Sequence, residues 1–393
     1  MTQTIVIVGA GQAGLQAAVS LRQGGYEDRI VLIGDEPFAP YQRPPLSKKF
    51  LAGEIGRDRL LLKPDAFFRE ANITLELGST AYAVNPDSRI LTFDDGGVRA
   101  YDIAILATGT RAREIPVPGS HLDGVMTLRR IGDVDRFRPY FAGGRKVAII
   151  GGGYIGLEVA AVAAAMGLDV SVFEAERRVL QRVVSPEVST FFANLHRKNG
   201  VRIETGCGVA RILGETSCTG IETADGRRFA ADLVLVAVGA RPNDEIASEA
   251  GLEVDDGIVV DDFGRTSDPA IYAAGDCTRF HSARFGRRIR LESVQNAIDQ
   301  AKAVAASITG KPVPYDPVPW FWSDQYDIKL QIAGLSQGYD TAEVFGNPDD
   351  NAFSVIYSRD GMLIAVDSIN QPRPHMLARR AIGGPREAYD PGK

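Results

Sequence analysis

The chain has 393 residues, 45% hydrophobic and 24% charged, enough for two or three globular domains at roughly 150 residues each. Forty-four Lys and Arg against fifty Asp and Glu leave a net charge of −6, which argues against general nucleic-acid binding. No apolar run reaches membrane-span length, no basic-then-apolar leader precedes the first strand, and three cysteines without a C-x-x-C point to a reducing, cytoplasmic setting with no disulfide framework.

Ile5-Val-Ile-Val-Gly9-Ala-Gly11-Gln-Ala-Gly14 reads as a buried strand, a glycine turn and a helix in G-x-G-x-x-G spacing. The first glycine permits the tight turn, the second lets a pyrophosphate approach the backbone, and the third lets helix and strand pack closely. The phosphates then sit at the helix N-terminus, where unpaired N–H groups favour anions. The apolar strand Ile30–Ile33 closes on Asp35, an acid placed to accept from a ribose hydroxyl. In Pro40-Tyr-Gln-Arg-Pro-Pro-Leu-Ser-Lys48 the prolines exclude a regular helix or central strand. That loop carries Arg43 and Lys48, either in solvent or against a bound cofactor. Tyr101–Gly109 is a buried strand ending in small residues.

Val147-Ala-Ile-Ile-Gly151-Gly-Gly153-Tyr-Ile-Gly156-Leu-Glu158 repeats the fingerprint, and the strand Val170–Glu174 again ends on an acid. One copy of the motif is weak evidence, whereas two complete copies leave little room for chance. Glu158 stands near the start of the second helix, where a carboxylate suits the helix dipole. Ala231–Gly239 mirrors Tyr101–Gly109, each closing one nucleotide-binding half. Gly264–Asp276 is expected to end a strand on an acid suited to a polyol, and Leu291–Ala297 to open a helix aimed at a ring carbonyl. From Pro312 to Pro319 the chain is extended and linker-like. Alternating residues beyond it predict antiparallel strands and a C-terminal helix, with a frayed end past Arg386. Cys207 and Cys218 fall in predicted strands, Cys277 follows a Gly-Asp turn, and all three read as small buried residues.

The succession of two fingerprints, Arg-Pro-Pro-Leu-Ser-Lys, Ala-Thr-Gly, Ala-Val-Gly, Gly-Asp and Pro-Trp-Phe-Trp-Ser-Asp resembles the FAD- and NADH-dependent ferredoxin reductases of bacterial cytochrome P450 and aromatic-ring dioxygenase systems, of the putidaredoxin-reductase type. The resemblance covers nearly the whole chain. It implies an α/β fold of glutathione-reductase type: two Rossmann-like dinucleotide-binding domains plus a C-terminal α+β interface domain. The expected divisions are an FAD-binding domain in two parts, 1–109 and 232–316, an NAD-binding domain at 110–231, and a C-terminal domain at 317–393.

Residue by residue, the resemblance puts FAD against Gly9, Gly11, Ala13, Gly14 and Asp35, with Lys48 beside the flavin and Arg129 near the phosphates and adenine. Asp276 matches the acid on the ribityl chain and Val294 a backbone contact to the flavin ring. Arg43, Ala81, Thr108, Gly109 and Gly239 complete the candidate cofactor set, and Gly151, Gly153, Gly156, Glu158 and Glu174 take NADH. Lys48, Glu158, Trp320 and Trp322 are the candidate catalytic residues, and no metal is expected. A carboxylate at Glu174 favours a 2′-OH over a 2′-phosphate, although Arg177 and Arg178 nearby weaken that choice. With no thiol in the loop after the first unit, electrons must leave the flavin directly, one at a time, for a 2Fe–2S ferredoxin. Arg284, Arg287, Arg288 and Arg290, with Arg373, Arg379 and Arg380, form basic clusters that are either solvated surface or the docking face. The expected assembly is a monomer or weak dimer. Rubredoxin reductase and monodehydroascorbate-type reductase activities, or a redox-sensing role like that of apoptosis-inducing factor, are the alternatives.

Overall fold

The strand Thr4–Val8 is a run of β-branched residues buried on both faces, the composition a central parallel strand requires. Gly9 ends it at φ +113°, where a Cβ would fall on the Ala107 carbonyl. Gly14, two residues inside the helix Gln12–Gln23, has room for no side chain because the Gly9 carbonyl lies against it. The computed structural model, which describes residues 3–141 and 143–393, uses the same device twice. After the strand Lys146–Ile150, Gly151 turns at φ +110° against the Ala237 carbonyl, and Gly156 packs onto the Gly151 carbonyl. The helix that follows, Tyr154–Ala165, is apolar over most of its surface and accordingly buried.

Each strand–turn–helix unit is the centre of a five-stranded parallel sheet. In the first the order is Ile73–Leu77, Arg29–Gly34, Thr4–Val8, Ile103–Leu106, Ile271–Ala273. In the second it is Arg202–Thr205, Asp169–Glu174, Lys146–Ile150, Leu233–Val236, Val125–Met126. Numbered along the chain, the first order is 3-2-1-4-5 and the second is 4-3-2-5-1, because Val125–Met126 precedes its fingerprint strand. Counted from each fingerprint strand onward, the four strands Arg202–Thr205 to Leu233–Val236 repeat the 3-2-1-4 of the first sheet. In both, the direction of chain progression reverses beside the glycine turn, the place where open α/β sheets bind ligands.

The chain forms two compact units. One comprises the stretch up to Gln42 with Arg57–Arg111 and Arg241–Pro319, and its helices Gln12–Gln23 and Val294–Ile308 pack together. The other comprises Arg43–Gly56, Ala112–Ala240 and Trp320–Lys393. Within it, a five-stranded antiparallel sheet runs in the order Trp320–Gln325, Ile328–Gly334, Met362–Ile369, Ala352–Arg359, Thr341–Asn347, followed by the helix Pro372–Ala381.

Four sequence expectations need correction. Leu233–Val236, assigned to the second part of the FAD-binding domain (232–316), lies in the other sheet, paired in parallel with Lys146–Ile150. The segment Arg43–Gly56 belongs with that second sheet and not with the first domain. Cys207 sits in the loop between Arg202–Thr205 and Val209–Gly214, not in a strand. The end of the chain is also held, because Tyr389 is buried with its hydroxyl donating to the Pro374 carbonyl at 2.9 Å, and Arg386 forms an ion pair with Glu343.

Candidate functional site

In the first unit Gly9, Gly11, Ala13, Gly14, Asp35, Thr108, Gly109 and Asp276 lie at the carboxyl ends of the parallel strands, whereas Lys48 and Arg129, also expected against FAD, belong to the second unit. Gly11 caps the helix Gln12–Gln23 without any side-chain hydrogen bond to the first turn, and a Cβ on it would meet nothing within 4 Å. Bare N–H groups at a helix start, facing open space over a glycine, are what a dinucleotide pyrophosphate needs. By contrast the helix Val294–Ile308 is closed by Ser293, whose Oγ accepts from the Asn296 amide at 3.1 Å. Gly275 turns at φ +91° with Ala13 so near that a Cβ would lie 2.9 Å from the alanine methyl. This turn sets Asp276 beside the first fingerprint. Thr108 and Gly109, at the end of Ile103–Leu106, are tied to Asn243 by three hydrogen bonds of 2.6–3.0 Å. Ala81 opens the antiparallel strand Ala81–Asn85. Asp35 is exposed one residue past the strand Arg29–Gly34, so Gly34 is the register counterpart of Glu174 in the other sheet. Next to it, Glu36 is buried and accepts from the Tyr41 hydroxyl at 2.7 Å, an acid the sequence reading passed over.

The second unit repeats the cradle. Gly153 caps the helix Tyr154–Ala165 with no side-chain bond and open space at its Cβ position. Glu174 accepts from the Gly152 amide at 2.7 Å and the Glu176 amide at 2.8 Å, closing the turn while its remaining lone pairs stay available to a hydroxyl. Arg177 is exposed just beyond, whereas Arg178 turns back toward the Val184 carbonyl at 3.4 Å. Gly239 follows Leu233–Val236 at φ +111° and accepts from the Arg113 amide. Arg43 donates to the Arg129 carbonyl at 2.8 Å, bringing two of the expected cofactor-binding arginines together. In both units the residues present fit a bound dinucleotide.

The chemistry concentrates at Glu158, which is 2% exposed. Pro44–Ser47 forms one 3-10 turn, and its prolines fix the backbone so that Ser47 and Lys48 both face the carboxylate. Ser47 Oγ donates to Glu158 Oε2 at 2.5 Å, and Lys48 Nζ bonds the same oxygen at 2.6 Å. Lys48 Nζ also donates to the Pro44 carbonyl at 3.2 Å. Ser323 Oγ donates to Glu158 Oε1 at 2.7 Å. A charge pair removed from water holds only when such extra bonds complete it.

Ser323 comes from the strand Trp320–Gln325, whose period of two divides it between two tasks. Phe321, Ser323 and Gln325 face the helices Tyr154–Ala165 and Pro186–Lys198. Phe321 meets Tyr154 at 4.8 Å between ring centroids, and Gln325 meets His196 at 2.8 Å. Trp320 and Trp322 take the other face, 5.7 Å apart. Trp320 contacts His375, and the Arg379 guanidinium lies over it at 4.8 Å. Burial lifts the Tyr154 hydroxyl well above its usual range, and Asp367 and Glu158 add to that. It lowers His196 to about 4, a neutral imidazole under ordinary conditions.

Ser47, Ser323, Gln325 and His196 were not singled out from sequence. Two of them lay inside quoted motifs, Pro-Pro-Leu-Ser-Lys and Pro-Trp-Phe-Trp-Ser-Asp, where a hydroxyl beside the lysine or between aromatics was the available signal. The three cysteines are free and buried, and burial pushes all three thiols up, away from a reactive thiolate. Among the described residues no cluster of His, Cys, Asp and Glu could hold a metal ion, and no helix is long and apolar enough to cross a membrane.

The pyridine nucleotide-disulphide oxidoreductase family matches residues 3–301, and the reductase C-terminal family matches residues 320–390. Rhodocoxin reductase of Rhodococcus erythropolis is 44% identical over 96% of this chain and 89% of its own length. A ferredoxin–NAD(P)(+) reductase of a Sphingomonas species is 43% identical over 97% of this chain and 94% of its own. The solved covalent complex of putidaredoxin reductase with putidaredoxin contains a chain similar to this one at a TM-score of 0.95 and 40% identity, covering 99% of this chain and 96% of that one.

Proposed function

The chain belongs to the pyridine nucleotide-disulphide oxidoreductases, and on that premise we propose that it is an NADH-dependent, FAD-containing ferredoxin reductase feeding a cytochrome P450 or ring-dioxygenase system. The observation that carries this reading is the duplicated cradle: two parallel sheets in which the fingerprint strand and the three strands after it take the same order, each fingerprint strand leading to an uncapped glycine helix start. Bound FAD supplies hydride acceptance from a nicotinamide and one-electron delivery to an iron–sulfur carrier.

The chain's own residues bind, orient and insulate. Gly9, Gly11, Gly14 and Asp276 receive FAD, and Gly151, Gly153, Gly156 and Glu174 receive NADH. Lys48 and Glu158 are the orienting pair, with the lysine ammonium held by the carboxylate beside the reacting rings and Glu158 holding the nicotinamide side. Glu174 accepts from a ribose 2′-OH and repels a 2′-phosphate, which favours NADH over NADPH. The three cysteines are free and buried with their thiols pushed up, and none is paired with another, so electrons pass straight to the partner.

The partner docks on the C-terminal helix. There Arg373, Met376, Arg379 and Arg380 are exposed, and Arg379 covers Trp320. Of the other basic cluster, Arg288 is paired with Glu253 and Asp255, and Arg290 with Asp256 and Glu292, which leaves them less charge to offer. Arg284 and Arg287 are exposed on the same hairpin region and add a secondary patch.

The test is a visible spectrum of the purified protein, an anaerobic NADH titration, and cytochrome c reduction with and without added 2Fe–2S ferredoxin. The expected result is a yellow protein bleached by about one equivalent of NADH, one hydride per flavin, with cytochrome c reduction that depends on ferredoxin. A colourless protein after reconstitution, or turnover indifferent to ferredoxin, overturns the reading.

A further inference from the structure

Glu158 is the end of a chain of polar side chains that runs from the helix Tyr154–Ala165 along one face of the strand Trp320–Gln325 to His196 on the helix Pro186–Lys198. Ser323 Oγ lies 2.7 Å from Glu158 Oε1, Gln325 Nε2 lies 3.2 Å from Ser323 Oγ, His196 Nε2 lies 2.8 Å from Gln325 Oε1, and the Tyr326 hydroxyl lies 3.2 Å from His196 Nδ1. Ser323, Gln325 and His196 are all buried to 1% exposure or less. The direction of every link follows from the first. A carboxylate ion-paired with Lys48 only accepts, so the single Ser323 hydrogen goes to it. Ser323 Oγ must then accept from the amide nitrogen of Gln325, which turns the Gln325 oxygen to His196. That oxygen requires a hydrogen on His196 Nε2, and a neutral ring then takes the Tyr326 hydrogen at Nδ1. Four donors point one way, and each polarises the next.

We propose that Ser323, Gln325 and His196 are positioning residues for the reaction. In this one-way chain the C-terminal sheet holds one oxygen of Glu158 so that the other stays on Lys48. The inference rests on the reading of Glu158 and Lys48 as the orienting pair. It extends the role of the C-terminal region from partner docking to hydride transfer, through the face of the strand Trp320–Gln325 opposite the two tryptophans. A Gln amide does not pass protons readily, so the chain acts by orientation and electrostatics and not as a proton relay.

Two measurements test it. The first needs no turnover: in protein carrying 15N-labelled histidine, His196 (identified by the signal lost in His196→Asn) should be neutral with its hydrogen on Nε2 at neutral pH. A Nδ1–H tautomer overturns the chain. The second compares flavin reduction by NADH in stopped flow for wild type, Ser323→Ala, Ser323→Thr and Gln325→Glu. In Gln325→Glu two carboxylates compete for the one Ser323 hydrogen, so the link is broken without loss of volume.

Ser323→Ala and Gln325→Glu should each slow flavin reduction by about tenfold, roughly the worth of one hydrogen bond to a charged group. FAD content and reoxidation by ferricyanide should be unchanged, and Ser323→Thr should restore the rate. If Ser323→Ala fails to fold, Gln325→Glu decides. Undiminished rates in the folded variants overturn the inference, whereas a wild type that NADH does not reduce overturns only the parent reading.

Discussion

Lys48 and Glu158 are a buried ion pair, and such a pair shows its strength mainly when one member is taken away. Lys48→Met leaves Glu158 without its cation in a site 2% exposed and should lower stability by about 3–5 kcal/mol, toward the lower end because the lysine side chain keeps 17% of its exposure. Adding Glu158→Gln should recover most of that loss, a coupling readable by denaturant melts of the two single variants and the double. Asp367 is a second costly carboxyl. It is fully buried, accepts from the Tyr357 hydroxyl at 2.6 Å, and its Oδ1 has no partner. Burial raises it from 3.8 to about 7. The folded state therefore holds a proton that the unfolded chain gives up between those values, and stability should fall as pH rises from about 4 to about 7 and level off above. The span is roughly 4 kcal/mol at most. Asp367→Asn should flatten that slope, so its stability relative to wild type should improve from pH 4.5 to pH 8; an unchanged difference would remove Asp367 from the pH dependence.

At the scale of an element, the two fingerprint helices show how one short motif does two separable jobs. Gly151 has a left-handed backbone and a carbonyl where a Cβ would go, so Gly151→Ala should destabilise the fold by about 1–3 kcal/mol or more. Gly153 has an ordinary backbone at φ −82° and open space at its Cβ position. Gly153→Ala should leave the melting temperature within a degree or two, as surface changes do. It should nevertheless weaken NADH binding by about tenfold, measured as Kd, because the methyl occupies the space the pyrophosphate needs. A destabilised Gly153→Ala with unaltered affinity would reverse the assignment. These jobs were legible in the sequence because they depend on residues a few positions apart. The two faces of Trp320–Gln325 were only half legible. The tryptophans announce themselves by type, whereas Ser323 and Gln325 acquire meaning only through Glu158 and His196, which lie more than a hundred residues away in the chain.

At the scale of the molecule, duplication was legible and division was less so. Two fingerprints predict two sheets, and the likeness of Ala231–Gly239 to Tyr101–Gly109 assigns Leu233–Val236 to the second, where it pairs with Lys146–Ile150; the boundary at 232 cut across that pattern. Arg43–Gly56 carries no such pattern, since its prolines forecast a rigid loop without saying which unit it joins. Partner docking is also a property of the whole molecule, since a net charge of −6 would repel an acidic ferredoxin unless positive charge is concentrated locally. The exposed face of Pro372–Ala381 concentrates it: Arg373, Arg379 and Arg380 flank Met376, which is 58% exposed, and Arg379 stacks on Trp320. Charges on such a rim act on encounter more than on the bound complex, and they are screened over about 10 Å at 0.1 M salt. Arg373→Glu/Arg380→Glu should therefore raise the KM for ferredoxin about tenfold or more while leaving ferricyanide reduction by NADH unchanged. The wild-type ferredoxin rate should fall steeply between 0.05 and 0.5 M salt, and the charge-reversed variant should lose most of that dependence. Reversing Arg288 and Arg290, which are already paired with acids, should matter less; if it matters more, the docking face lies on that hairpin and not on the C-terminal helix.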